Sequence, residues 1–489
     1  MKKSVIFAVV FCVAISVLFS SCKSDPSGNS SQSSLQDILS GYDNQSKTEN
    51  GEESQAGENQ AEASSDIKDN SSNNQNISET DASSGKNQQT TSTDSSAKQE
   101  TASNKPQNTQ TSSVASSNKP SNTTTTSSAS GTNISVKPIS PDEYYGWKEL
   151  QKIGTQAELQ AYQLFREQIG KYQKEVAFDF NITKEEAERA YNYYRDDYPQ
   201  HFWRGNSIYF TISGGYIKKI SLSSMLYGGD AAKLKEMNDK VIAASEKILS
   251  KIKGSMSLIE RQIFIHNTLV NNIKYDTTFK AENAHNMYGA LVNGKAVCEG
   301  YAYAFQYLAR EAGIQCIAVK GDLNGLGGWE AHAWNMVELD GEYYHIDVTS
   351  DDPIVDGGAD DILEFTYFNL TDSEIKKDHK ITDNSHSIPV ANSTKYNFFR
   401  YYGLKFNELS VNNFAKAFAF AAKNKYEYAY LAFNGCDLSN VGKYLGSNYR
   451  AIASGANDIL GKEVLKSVGS ILYFNNTDFN LLSVKLSYT

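Results

Sequence analysis

Cys298, His332 and Asp347 have the types and chain order needed for acyl transfer on an amide: a thiol nucleophile, an imidazole base and a carboxylate to orient it. They lie in three short segments, Gly294-Lys295-Ala296-Val297-Cys298-Glu299-Gly300-Tyr301-Ala302, His332-Ala333-Trp334-Asn335 and His345-Ile346-Asp347-Val348-Thr349. Cys298 stands where a loop marked by Gly289 and Gly294 gives way to the helical pattern Ala302, Phe305, Leu308, Ala309, which Gly313 closes. A thiol at a helix start faces unpaired N–H groups and the positive end of the macrodipole, both of which favour thiolate over thiol.

The base and its orienter must come from a hairpin. Val337-Glu338-Leu339 and Glu342-Tyr343-Tyr344 flank Asp340-Gly341, a strong two-residue turn signal, so Leu339 should oppose Glu342 and, by extension, Trp334 should oppose Asp347. His332 shares a face with Trp334, and Asp347 reaches that face from the diagonal position, roughly 7–8 Å away between backbones. A slip of one residue would put the pair on opposite faces.

These residues resemble a known family. From about Ser257 to Pro353, and above all in "YGALVNGKAVCEGYA", "EAHAWN" and "YYHIDVTSDDP", the chain is similar to the core of the transglutaminase-like superfamily, whose papain-like arrangement uses Cys, His and Asp in that order. The resemblance implies Cys298 as nucleophile, His332 as general base and then acid, and Asp347 as the residue that fixes the imidazole. It also implies an α+β fold class. The family includes cross-linking enzymes, deamidases, peptidases and members without activity, and the motif does not separate them.

An oxyanion needs donors. The N–H of Cys298 is one, since a helix start leaves amides free; Tyr275 and Tyr288, upstream of the nucleophile, are candidates for a second. Trp334 and Asn335 are candidates for supporting the base. Glu299 and Glu330 neighbour the nucleophile and the base as structural or tuning carboxylates. His266 is expected as a satisfied histidine beside an apolar helix stripe and His345 as an exposed strand residue rather than a support for Asp347; for His285, which precedes the loop to Cys298, a place lining the cleft is the minor alternative. Cys298, His332 and Asp347 lack the close pairing of structural zinc sites, so neither metal nor cofactor is expected.

The start of the chain carries an address. Met1-Lys2-Lys3, the apolar run Val5 to Phe19 and Ser20-Ser21-Cys22 have the form of an export signal, and the last five residues resemble a bacterial lipobox that leaves Cys22 lipidated. Residues 1–21 are thus expected as a lipoprotein signal peptide. Residues 22–138, dominated by Ser, Thr, Asn and Gln, cannot bury enough apolar surface to offset chain entropy and read as a disordered tether spanning about 60 Å as a flexible coil. The expected location is a lipid-anchored, extracytoplasmic one in a bacterial envelope, with membrane contact through the N-terminal lipid. A net charge of −10 without a basic stripe excludes nucleic acid as a partner. Once the signal and Cys22 are set aside, Cys298, Cys316 and Cys436 remain, too few and too irregular for a disulfide framework; Cys316, heading an apolar strand, reads as a buried inert thiol.

The rest divides into three expected parts. Residues 139–254 read as a helix-hairpin-helix module, with a helix over 155–171, a capping box at Thr183-Lys184-Glu185-Glu186, a hairpin turning at Gly214-Gly215 and a long helix over 230–253. Residues 255–392 read as the catalytic domain, opened by the capping box Ser257-Leu258-Ile259-Glu260. Residues 393–489 read as a small α+β domain with helices over 411–424 and near 459–468, a strand over 427–432 and strands around Leu472 and Leu482. The expected function is a cysteine peptidase, deamidase or transamidase acting on proteins or peptides, cell-wall peptides among them; the competing reading is an inactive envelope binding or scaffolding protein that keeps the fold.

Overall fold

The computed structural model describes residues 136–205, 208–222, 225–325, 328–354, 362–383, 387–466 and 471–489. The expected signal peptide, Cys22 and nearly all of the expected tether lie outside the described residues.

The first layer is aromatic. Helices α1 (Tyr145–Ile153), α2 (Gln156–Gly170) and α3 (Lys184–Asp197) pack through Trp147 stacked on Tyr162 at 4.7 Å, with Phe165, Tyr191 and Tyr194 edge-on or tilted around them. Both α2 and α3 open on capping boxes, Thr155 with Glu158 and Thr183 with Glu186, which satisfy two orphan N–H groups at each start. Strand β1 (Glu175–Ala177) lies beside the hairpin of β2 (Ile208–Ser213) and β3 (Tyr216–Leu222) in the order β1-β3-β2. The hairpin turns where expected, because Gly214 and Gly215 both take positive φ, +61° and +82°, at no steric cost. Helix α4 (Ala231–Leu249) follows, capped by Asp230.

The central part begins with α5 (Leu258–Asn272), whose Ser257–Glu260 capping box forms as expected. Strand β4 (Lys274–Tyr275), the short helix α6 (Met287–Leu291) and strand β5 (Lys295–Ala296) lead into α7 (Cys298–Glu311). Helix α7 packs against strands β6 (Gln315–Gly325) and β7 (Gly328–Leu339), and β7 turns into β8 (Glu342–Ile346). Strand β9 (Phe368–Leu370), the one-turn helix α8 (Asp372–Ile375) and strand β10 (His379–Ile381) complete a five-stranded antiparallel sheet in the order β10-β6-β7-β8-β9. The register of β7 on β8 is the expected one: Leu339 opposes Glu342 and Asn335 opposes Ile346, around an Asp340-Gly341 turn with φ of +53° and +79°.

The last part holds α9 (Phe398–Tyr401), β11 (Lys405–Phe406), α10 (Val411–Lys423), β12 (Tyr428–Phe433), α11 (Val441–Leu460), β13 (Tyr473–Asn476) and β14 (Leu481–Lys485), with sheet order β11-β12-β14-β13. One expectation fails here. The helix expected near 459–468 is replaced by α11, which ends at Leu460 where Gly461 takes the left-handed conformation as a C-cap. Glycines inside α11 lower its propensity but let it approach its neighbours: a Cβ on Gly455 would lie 3.1 Å from that of Ala415 on α10.

Most buried apolar side chains join one cluster running from Tyr144 to Leu486, beside two smaller ones, around Trp334 and around Tyr367. A polar joint reinforces the main cluster. Asp197, at the end of α3, accepts from the N–H groups of Gly146 and Trp147, the hydroxyl of Tyr162 and the guanidinium of Arg310 on α7. Arg310 also donates to the carbonyls of Asp197 and Cys316, and Tyr144 lies over its guanidinium at 4.1 Å. The helix that starts with Cys298 is thus fixed at its far end by the N-terminal layer.

Candidate active site

Local sequence chemistry determines where α7 begins. Strands β4 and β5 pair in parallel, Lys274 with Lys295 and Tyr275 with Ala296, and the N–H of Val297 donates to the carbonyl of Ala284. The chain then turns into the helix with Cys298 at its first position, where the amide has no intrahelical acceptor. Gly300 permits this approach: a Cβ there would lie 2.6 Å from the carbonyl oxygen of Ala284 and 2.7 Å from the Cβ of Ala296.

The three residues expected to act together do meet. The Cys298 thiol, buried at the helix start, lies close enough to the ring of His332 on β7 to favour its charged form. The other side of that ring holds Asp347: His332 Nε2 lies 2.8 Å from Asp347 Oδ2. With Nε2 bonded to the carboxylate, Nδ1 is the nitrogen available to the thiol. Asp347 follows the last residue of β8, and its Oδ1 accepts from the N–H groups of Thr349 and Ser350 at 3.0 and 3.2 Å, while the Ser350 hydroxyl donates to Oδ2.

The electrostatics follow from this geometry. Burial would strip His332 of its proton, but the Asp347 carboxylate and the contact with Cys298 outweigh it and push the imidazole up to about 10. Burial would likewise protonate Asp347, yet two imidazoles and their hydrogen bonds hold it well below the usual carboxylate range. Asp347 is therefore an anion and His332 readily a cation.

The supporting residues occupy distinct places. Trp334 lies nearly parallel to His332, at 17° and 6.1 Å between ring centroids, and its indole N–H donates to His345 Nδ1 at 3.1 Å. His345 in turn bonds Asp372 through Nε2 at 3.0 Å. His345 is fully buried, so the expectation of an exposed strand residue is corrected: β9, α8 and the chain around Ala391 cover that face of β8, which periodicity within the hairpin could not show. Asn335 points the other way, donating to the carbonyls of Ala302 on α7 and Ile317 on β6, and so ties α7 to the sheet. His266 is the satisfied histidine expected, bonded to Asp351 at 3.1 Å. His285 pairs with Glu299, the residue after Cys298, at 2.6 Å, both partly exposed.

The oxyanion candidates separate. Tyr275 stands close enough to the site that, after burial, the charges of Cys298, Asp347 and Glu330 raise its hydroxyl further; it remains a neutral O–H donor. Tyr288 packs on Phe202 at 5.8 Å, on the side of α6 that faces the N-terminal layer. Of the other thiols, Cys316 is buried and pushed up to about 12 by burial, and Cys298, Cys316 and Cys436 are all free.

Sequence reasoning missed His379. It lies on β10, and its Nε2 is 3.2 Å from the same Asp347 oxygen that His332 uses. No local pattern announces it, because β10 is a three-residue strand whose place beside β6 is set by a long-range pairing. The donor atoms of His332, Asp347 and His379 all lie within 4.8 Å of one another, close enough to invite a metal ion. The N···O separations of 2.8 and 3.2 Å are those of charge-assisted hydrogen bonds, and with the amides and hydroxyl on Asp347 they account for the cluster without an ion.

Residues 246–348 match the family model described as the transglutaminase-like superfamily. Over this segment the chain is similar to transglutaminase-like proteins. The Kyphoscoliosis peptidase of Mus musculus is 30% identical over 123 residues, 23% of this chain and 19% of that protein, and that of Homo sapiens is 32% identical over 109 residues, 20% and 16% respectively. The chain therefore spans less than a fifth of the length of these relatives. Among solved structures, a TGase is similar at 16% identity over 36% of this chain and 50% of its own, with a TM-score of 0.19.

Proposed function

We propose that this protein is an exported, membrane-tethered cysteine acyl-transfer enzyme that acts on amide bonds of proteins or peptides through Cys298, His332 and Asp347. One observation carries the reading: a single imidazole lies beside a thiol at a helix start and is hydrogen-bonded to a buried, multiply hydrogen-bonded carboxylate. The Cys298 sulfur attacks the amide carbonyl. The oxyanion formed takes donors from the Cys298 N–H and the Tyr275 hydroxyl. As the C–N bond breaks, the His332 imidazolium gives its proton to the departing amine, leaving a thioester on Cys298 and a neutral imidazole. Water, or a second amine, then attacks the thioester while His332 takes its proton, and collapse releases acid or a new amide and restores the thiolate–imidazolium pair. Trp334 and the Asp347 cluster keep the ring aimed between sulfur and leaving group.

The basic start, the apolar run and Cys22 support an anchor on the outer face of a membrane, with the Ser/Thr/Asn/Gln-rich segment as the tether. The proposal is tested by incubating wild type and Cys298→Ala with peptide and glutamine-donor libraries and reading product masses. Peptide fragments, a gain of one mass unit, or amine incorporation would name the reaction; equal products from both proteins would reject the thiol as nucleophile. Cys22→Ser should move the protein from the membrane to the soluble fraction.

A further inference from the structure

Asp347 serves two histidines through one oxygen, and the second has a feature that the first lacks. His379 Nε2 faces Asp347 Oδ2 at 3.2 Å while its Nδ1 faces Asp378 Oδ1 at 2.7 Å. A neutral imidazole carries one N–H, so one of its nitrogens would present a lone pair to a carboxylate. Both contacts are satisfied only when the ring carries two protons. The ring is also held: it is fully buried at its side chain, edge-on to Trp334 at 5.0 Å and to Tyr367 at 5.3 Å, and Tyr367 fixes Asp378 through its hydroxyl at 2.5 Å.

We propose that His379 is a positioning residue, held as a cation between Asp347 and Asp378, which divides the charge of Asp347 between two imidazoles and so tunes the base His332. This rests on the reading of His332 as the base of a cysteine acyl-transfer enzyme. His332, Asp347, His379 and Asp378 are then linked in one row of contacts that ends at Asp378, whose side chain is 22% exposed. The ring of His379 is 5.5 Å from that of His332. The charged or titratable groups facing His379 are Asp347, Asp378 and Tyr367, with His332 across the carboxylate and His345, bonded to Asp372, one ring further along the sheet. A cation there weakens the hold of Asp347 on the proton of His332, which the leaving amine must receive. Without it, Asp347 gives its whole charge to His332 and the imidazolium releases that proton less readily.

The test uses the full chain labelled with 15N-histidine. Long-range proton–nitrogen spectra of wild type and His379→Gln identify the His379 ring by its disappearance; both its nitrogens should be protonated at pH 7. Asp378→Asn, which removes one acceptor and leaves the fold's apolar contacts in place, should leave only one of them protonated at that pH. In parallel, the alkaline limb of the pH profile of amide turnover, where the His332 imidazolium loses the proton that the leaving amine needs, should move upward by about one pH unit in His379→Gln, since a unit charge 5.5 Å away is worth about two at an effective dielectric near 20 and Asp378 offsets part. A singly protonated His379 in wild type, or an unmoved alkaline limb in His379→Gln, overturns the proposal. If instead His379 carries both protons while Cys298 never labels selectively with iodoacetamide, the catalytic reading fails and the charge state of His379 stands.

Discussion

Replacing Asp347 with Asn should disable the base through its hydrogen-bond polarity rather than its shape. Asp347 Oδ1 accepts from the amides of Thr349 and Ser350 at 3.0 and 3.2 Å, so the oxygen of an asparagine would keep that place. Its NH2 group would then stand where Oδ2 now receives His332, His379 and the Ser350 hydroxyl. His332 can bond that donor only by presenting a bare Nε2, which puts its single proton on Nδ1, against the thiol. The thiol then has no acceptor for its own proton. The size of the effect follows from the rise of His332 from 6.5 to about 10, worth about 5 kcal/mol at about 1.4 kcal/mol per unit, to which Asp347 contributes most against the opposing burial. Iodoacetamide labelling of Cys298 near pH 6 should fall by about 10²–10³-fold, and amide turnover by about 10³–10⁴-fold as expected for a base in the wrong tautomer. Peptide mapping distinguishes Cys298 from Cys316, whose buried thiol stays inert, and from the half-buried Cys436. A variant that folds, as judged by its denaturation midpoint, and labels Cys298 at the wild-type rate across pH 5–8 would refute the reasoning.

Other consequences are open to measurement. Asp197→Ala removes the carboxylate from a buried Arg310 and from two amides, and should cost about 3–5 kcal/mol in urea denaturation; a loss under 1 kcal/mol would show that the joint between α3 and α7 is not needed. Gly300→Ala forces a methyl group onto the Ala284 carbonyl and should cost about 1–3 kcal/mol and slow Cys298 labelling, whereas Gly341→Ala, open to solvent, should leave labelling unchanged. Because His332 binds its proton more tightly folded than unfolded, it stabilises the fold fully below pH 6.5, and this contribution should decline by about 1.4 kcal/mol per unit as pH rises from 6.5 towards 10. Asp347→Asn should flatten that slope in denaturation midpoints taken across the range; an equal slope in both proteins would assign it to other groups.

What the sequence disclosed was local. The hairpin register around Asp340-Gly341 was legible because turn chemistry and period-two alternation leave little freedom, and it alone made a His332 to Asp347 bond geometrically reasonable. The capping boxes at Thr183 and Ser257 were legible because a Thr or Ser and a Glu three residues on satisfy each other's backbone. His379 and the burial of His345 were not, since both depend on strands β9 and β10 joining the sheet from more than twenty residues away. Helix α11 was displaced in the reading because its glycines, which weaken a helix in isolation, are what let it pack closely against α10. Tertiary contact overrode propensity there.

The central claim is that the sulfur of Cys298 carries the acyl group between donor and acceptor. Acid-quenching the protein while it consumes an amide substrate and measuring its intact mass tests this directly. The account predicts an added acyl mass that maps to Cys298, is absent from Cys298→Ala and is released by hydroxylamine as a thioester. Turnover that proceeds without any adduct in wild type and persists in Cys298→Ala would contradict it.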